Sequence, residues 1–336
     1  MSIEAIASAI PSVHHDVAEI ARQCDADVDF IRDKVGVAGR YVLGPEETGI
    51  SLAAQACEAL FAKTGLTPED IGLVVFVTQN PDQRLPQNSA GLAARLGLPK
   101  TCASFDVSLG CSGFVYGLAI TESFVAMQGI ERAILVTCDP YSRIMAAEDK
   151  NTNAVFGDAA TATLITRSGT RSTLTGLDFG TDGSGGEAIR ITAGGAAAPL
   201  VALDRPEGIT TQTRDDHRLF MDGRAVFNFV NSTVPGSIKA SLEKAGLTLD
   251  DIDWCALHQG SAYMLDTLVR RARIAPEKVL KNIHRYGNTV SSTIPLLLEE
   301  LMQDGKLDQG GKVLISGFGV GLSWATGILN FKEQIK

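Results

Sequence analysis

Three polar residues sit where chemistry could be done. Cys111 lies in FDVSLGCSGFVYGL (105–118), where strand character gives way to helix, between Gly110 and Gly113. The first N–H groups of a helix have no intrahelical partner and point outward from its start. Together with the helix dipole they stabilise a thiolate and lower its pKa. They can also receive the oxyanion formed when the sulfur is acylated. A small residue packed into a crowded corner is the plainer account of the same position. His258, in ALHQGS, ends a short apolar strand, and strand C-termini in α/β sheets are where ligands collect. Asn288, in RYGNTVSSTIPLLLEEL, precedes an apolar helix, a place that asparagine also takes as a turn residue or cap. As a set, a thiolate that accepts an acyl group and two neutral donors that hold an enolate oxygen suit carbon–carbon bond formation from a decarboxylating thioester. They suit hydrolysis less, because nothing in the set is an obvious base for water.

An internal repeat supplies the elements that must bring the three together. GLTPEDI (65–71) and GLTLDDI (246–252) each follow an amphipathic helix, at 51–63 and 231–244. Each precedes an apolar strand, LVVFVTQ (73–79) and DWCALHQ (253–259). In both copies a glycine ends the helix in left-handed geometry and a threonine caps a short acidic turn. A second pair of strands, ERAILVTCD (131–139) and GKVLISGFG (311–319), keeps the order: Ile71 to Ile134 spans 63 residues and Ile252 to Val313 spans 61. The chain therefore reads as two copies of one α/β unit, 1–167 and 215–336. A Gly-, Ser- and Thr-rich segment, 168–214, connects them, with strand character at its start and loop beyond. Continuous apolar strands alternating with helices predict sheets covered on both faces. Two such units should pack with pseudo-two-fold symmetry, and a site at their junction can draw on both. The helix after Cys111 is mostly apolar and reads as buried all round, the mark of a central helix.

Composition narrows the class. The chain has 336 residues, 45% hydrophobic and 21% charged, enough for a large core. A net charge of -9 argues against a general nucleic-acid binder, while leaving room for a local basic patch. No apolar run reaches the roughly 18 residues of a membrane span. The first residues lack the charged-then-apolar order of a secretory signal, so a cytoplasmic protein with reduced thiols is expected. The six cysteines form no C-x-x-C pair, so neither metal nor redox motifs are supported. No G-x-G-x-x-G opens a helix after the first strand, which leaves a dehydrogenase unsupported.

The sequence resembles the 3-oxoacyl-acyl-carrier-protein synthase III family, decarboxylating condensing enzymes of the thiolase superfamily. The resemblance rests on the surroundings of Cys111, FGDAATATLI (156–165), HQ (258–259), GNT (287–289) followed by IP (294–295), and the terminal GFGVGLSWATG. These fall in the family's order and spacing over nearly the whole chain. The resemblance implies a thiolase-like α/β fold, two pseudo-symmetric βαβαβαββ halves in five layers (α-β-α-β-α). It implies decarboxylative Claisen condensation of an acyl thioester with a malonyl thioester through an acyl-Cys111 intermediate. His258 and Asn288 would hold the malonyl thioester oxygen. The N–H groups of Cys111 and Val320 would hold the acyl oxygen, Val320 standing where the family usually has glycine. Phe318 matches the aromatic residue beside the cysteine. Coenzyme A or phosphopantetheine thioesters are the implied substrates, with no permanently bound cofactor and no metal. An acyl carrier protein and a second copy of the chain are the implied partners.

The departures from the family concern donor recognition. The family's histidine motif commonly reads HQAN with an arginine two positions later; here it is HQGSAY, with Gly260, Ser261 and Tyr263. The arginine that helps dock carrier protein is missing. Arg270 and Arg271 match a basic pair on the next helix face, which is either a docking surface or a solvated one. Phe30 replaces a tryptophan that stacks on adenine, and Lys34 and Lys150 replace phosphate-side arginines, reducing stacking area and bidentate bonding. Met221, Gly223, Arg224 and Phe227 match the pantetheine channel, Arg224 replacing a neutral residue. Leu85 matches a position that caps the acyl pocket, in the family from the dimer partner. Such changes point to retained condensing machinery in a specialised pathway. Acyl transfer or acyl-thioester hydrolysis without decarboxylation is the alternative, motivated by HQGS. A non-catalytic partner subunit is a third reading, opposed by retention of all three polar residues.

Overall fold

The computed structural model describes residues 1–199 and 215–333. The repeat folds as its spacing predicts. Helix Gly49–Thr64 ends at Gly65 (φ 71) and helix Gly223–Ala245 at Gly246 (φ 69), both left-handed. Thr67 with Asp70, and Thr248 with Asp251, then close capping boxes around single turns. Those turns hand the chain to the strands Leu73–Val77 and Trp254–Leu257. The second helix begins well before residue 231, because Asp222 caps it by accepting the N–H groups of Arg224 and Ala225.

Two sheets result. The first runs Ser2–Ala9, Ala160–Thr166, Arg132–Cys138, Leu73–Val77, Ala103–Val107 in spatial order. The second runs Ser172–Thr181, Ser323–Glu333, Gln309–Gly319, Trp254–Leu257. Read in this direction the first four strands match one for one, and the pseudo-symmetry lies in the topology. Two sequence expectations change here. Residues 172–181 are not connection but the edge strand of the second sheet, antiparallel to Ser323–Glu333, whose hydrogen-bonding edge they satisfy. The second half therefore starts before 215. Its counterpart of Ala103–Val107 shrinks to one parallel bridge, Cys255 with Val279, in a stretch interrupted by Pro276, Lys278 and Lys281. Of the predicted connection, 183–190 forms a 3₁₀ turn and a two-residue strand, and 200–214 lies outside the described residues.

Helices Gly113–Gln128 and Thr293–Gln303 lie between the sheets, each touching strands of both. Gly49–Thr64 and Asn88–Leu96 cover the outer face of the first sheet, and Gly223–Ala245, with Ala262–Ala272 beside it, covers that of the second. This is the α-β-α-β-α order. Phe114, Val115 and Leu118 meet Ile294, Leu297 and Leu298 in the central core, each burial stabilising by roughly 1.5–3 kcal/mol. Gly113 and Gly117 allow the cysteine helix to lie against Leu73–Val77: a Cβ on Gly113 would fall 2.4 Å from Val77 Cγ1. That helix is not buried all round to its end, since Ala126–Gln128 emerges at the surface.

Candidate active site

The two central helices start at the same end of the molecule, one from each half. Cys111 precedes Ser112, the cap of Gly113–Gln128. Strand Gln309–Gly319 runs past it, and glycines make the approach close. A Cβ on Gly317 would fall 2.6 Å from Cys111 O, and one on Gly319 would fall 2.6 Å from Cys111 Sγ. The chain then turns at Val320, held by Ser323 Oγ donating to Val320 O (2.8 Å), with Ser112 and Ser323 hydroxyls 2.8 Å apart. The N–H groups of Val320 and of Cys111 itself point to the sulfur.

His258 follows strand Trp254–Leu257, which pairs in parallel with Gln309–Gly319; its N–H donates to Ser316 O at 2.9 Å. That register sets the imidazole beside Phe318, edge to face at 5.5 Å and 89°. Its Nδ1 lies 2.8 Å from Thr293 Oγ1. Asn288 is clamped through its backbone: its N–H donates to Val155 O (2.8 Å), and Gly157 N–H donates to its carbonyl (3.1 Å). The 153–157 loop is itself held by buried Arg40, which donates to Asn153 and Phe156 carbonyls. Asn288 Oδ1 accepts Val290 N–H at 2.9 Å, which leaves Nδ2 as the donor facing the site.

Burial overturns one sequence expectation. Cys111 is only 6% exposed, and loss of solvation pushes its thiol up to about 12, against the prediction of a lowered pKa. The N–H groups of Val320 and Cys111 pull the other way, while buried Asp139 pushes further up. Asp139 is itself raised to about 6 by burial, less the effect of N–H and hydroxyl donors from Gln79 and Ser291. Burial lowers His258 to about 3, so the ring is neutral at ordinary pH.

Cys111, His258, Asn288, Phe318 and Gly319 meet at the inner end of a cavity of ≈ 930 Å³. Phe30, Lys34, Lys150, Met221, Gly223, Arg224, Phe227, Gly260 and Ser261 also line it. Lys34, Lys150 and Arg224 are exposed and in no ion pair among the described residues. Ser261 caps helix Ala262–Ala272 by accepting Met264 N–H. Tyr263, where the family has its arginine, stacks on Phe227 at 5.5 Å and 15°. Leu85 does not line this cavity; it projects from an exposed loop, 85% exposed. Arg270 and Arg271 lie outside it too, on the exposed last turn of Ala262–Ala272. Sequence reasoning missed Thr293, Phe156 and Gly319 as site residues. Only Gly319 carried a signal, as a glycine at a strand end where a backbone must approach closely. No group of residues that could hold a metal ion occurs among the described residues, and no described helix is long and apolar enough to cross a membrane.

Two family descriptions match the chain: 3-oxoacyl-[acyl-carrier-protein (ACP)] synthase III over residues 105–183, and the C-terminal part of the same family over 242–331. Beta-ketoacyl-[acyl-carrier-protein] synthase III of Acidiphilium cryptum is 31% identical over 329 residues, covering 98% of both chains. A crystal structure of a 3-oxoacyl-(acyl-carrier-protein) synthase III superposes with TM-score 0.91 at 34% identity, covering 98% of this chain and 99% of that one. The priming beta-ketosynthase of the R1128 polyketide biosynthetic pathway superposes with TM-score 0.85 at 25% identity, covering 98% and 96%. With near-complete coverage, the thiolase-like fold and the matching central helices, the chain belongs to the beta-ketoacyl-[acyl-carrier-protein] synthase III family.

Proposed function

We propose that the protein condenses an acyl thioester with a malonyl thioester by decarboxylation, through an acyl group carried on Cys111. The observation that supports this reading is the meeting of Cys111, His258 and Asn288 at one cavity end, with the Val320 N–H at the sulfur. In the first step sulfur attacks the donor carbonyl while the Cys111 proton passes to the departing donor sulfur. The carbonyl oxygen becomes an oxyanion between the N–H groups of Cys111 and Val320, and the donor thiolate leaves with a proton. In the second, the malonyl thioester oxygen accepts hydrogen bonds from Asn288 Nδ2 and the His258 ring. Loss of carbon dioxide leaves its bonding pair as an enolate, neutral donors being able to steady that oxygen without protonating the carbon. The enolate attacks the acyl carbonyl, and the C–S bond breaks to release the Cys111 thiolate, which takes a proton from water to restore the thiol. For His258 to donate from Nε2, its Nδ1 must accept the Thr293 hydroxyl, which otherwise donates to the Val290 carbonyl 3.0 Å away.

A cavity of this volume would take a phosphopantetheine arm, whose phosphates the exposed Lys34, Lys150 and Arg224 of its lining would meet. Coenzyme A or a carrier protein would deliver it, Arg270 and Arg271 offering cationic contacts to an acidic carrier helix. Leu85, exposed and outside this cavity, would be available to a second copy of the chain. Malonyl-dependent carbon dioxide release by purified protein tests the reading. His258→Ala and Asn288→Ala should slow that release more than they slow loading of Cys111. Product formed without carbon dioxide, from every donor tried, would move the assignment to acyl transfer or hydrolysis.

A further inference from the structure

A polar side chain, that of Gln79, stands against Gly110, the residue before Cys111. Gln79 N–H donates to Asp139 Oδ1 (2.7 Å), and the next residue, Asn80, donates through Nδ2 to Pro140 O (2.8 Å). These bonds pin the Gln79 side chain beside Gly110. A Cβ on Gly110 would fall 2.3 Å from Gln79 Oε1 and 3.1 Å from the side chains of Val290 and Val320. Buried Tyr141 donates its hydroxyl to Gln79 Oε1 at 3.2 Å and sets its ring 5.1 Å from that of Phe156, which lines the cavity. Burial and the nearby Asp139 and Cys111 hold the phenol well above its ordinary range, so its O–H stays a donor. Gln79 Nε2 makes no hydrogen bond among the described residues.

An acyl chain on Cys111 must leave the sulfur on the side opposite the pantetheine arm. The cavity admits the arm past Phe30 and Lys34 and ends at Cys111 and Phe156; Gln79 and Val290 stand against Gly110, the residue before the cysteine, and Tyr141 against Phe156, so a chain leaving the sulfur on that side would run toward them. A hydrocarbon there would cover the amide N–H without pairing it, which is unfavourable, whereas an acceptor oxygen on the acyl group would pair it. Resting on the condensing function above, we propose that Gln79, set by Tyr141, selects acyl groups carrying a hydroxyl or keto oxygen near the thioester carbonyl over alkyl groups of equal length.

Intact-mass loading rates on wild-type protein with butyryl-CoA and the two enantiomers of 3-hydroxybutyryl-CoA test this. One hydroxybutyryl enantiomer should load about tenfold faster than butyryl, the worth of one hydrogen bond. Gln79→Leu, of similar size, should abolish or reverse that ratio, and Tyr141→Phe should reduce it. Equal loading of butyryl and hydroxybutyryl by the wild type overturns the proposal without any variant, as does a ratio that survives Gln79→Leu. Malonyl-dependent carbon dioxide release from the loaded enzyme is scored separately. Selective loading without release would refute condensation and keep the selectivity, while no loading by any of these thioesters would refute both.

Discussion

Adding one methyl group at Gly319 should disable Cys111 while sparing the fold. A Cβ there would stand 2.6 Å from Sγ and 2.8 Å from Cys111 Cβ. Non-bonded heavy atoms rest at roughly 3.5–4.0 Å, so something must move by about 1 Å. The strand has little freedom to give. Gly319 pairs with Ser323, and Ser323 is bonded both to Val320 O and to Ser112 Oγ, on the cysteine's own neighbour. The sulfur must therefore turn away from the Val320 N–H. Displacements of about 1 Å at a reacting atom cost on the order of 100-fold in rate, and overpacking of this kind costs roughly 1–3 kcal/mol of stability. Intact-mass single-turnover loading should fall by about that factor in Gly319→Ala, with circular dichroism unchanged and a lower Tm. Gly236→Ala is the control: it lies in helix Gly223–Ala245 with no neighbour within 4 Å, and should load normally with slightly raised stability. Near-wild-type loading by Gly319→Ala would refute the placement of the sulfur against this strand end.

Other outcomes follow from the same geometry. With its thiol raised to about 12, Cys111 in ligand-free protein should alkylate about tenfold faster per pH unit from 7 to 9; a plateau below pH 8 would restore the thiolate expected at a helix start. His258, lowered in the folded chain to about 3 from 6.5, binds its proton more readily when unfolded. Its neutral burial therefore supports the fold above pH 6.5, and that support is lost as pH falls toward 3. Acid unfolding curves of wild type and His258→Gln should converge as the pH drops, and parallel curves would contradict this. Nitrogen-15 spectra of labelled histidine should report His258 as the Nε2–H tautomer, shifted in Thr293→Val and rescued in Thr293→Ser. A resting Nδ1–H form, with the Thr293 hydroxyl given to Val290 O at 3.0 Å instead, would make His258 a base rather than a donor. Cys111→Ser should form no acyl-enzyme by mass, because no group beside it deprotonates an alcohol.

The sequence by itself determined the repeat, the helix stops at Gly65 and Gly246 and the capped turns after them, because each depends on residues within a turn of one another. It also marked Cys111, His258 and Asn288, whose types and flanking glycines stand out locally. It could not assign Ser172–Thr181 to the second sheet, since that strand exists only by pairing with a segment about 150 residues away. Nor could it reach the thiol's protonation: the helix start is local, but the desolvation that outweighs it comes from strand Gln309–Gly319 closing over Cys111. The contacts that set Asn288 and His258, from the Arg40-held loop and from Thr293, likewise join parts of the chain that only the packed halves bring within hydrogen-bonding distance. Side-chain type is written in the sequence, whereas solvation and donor geometry belong to the assembled fold.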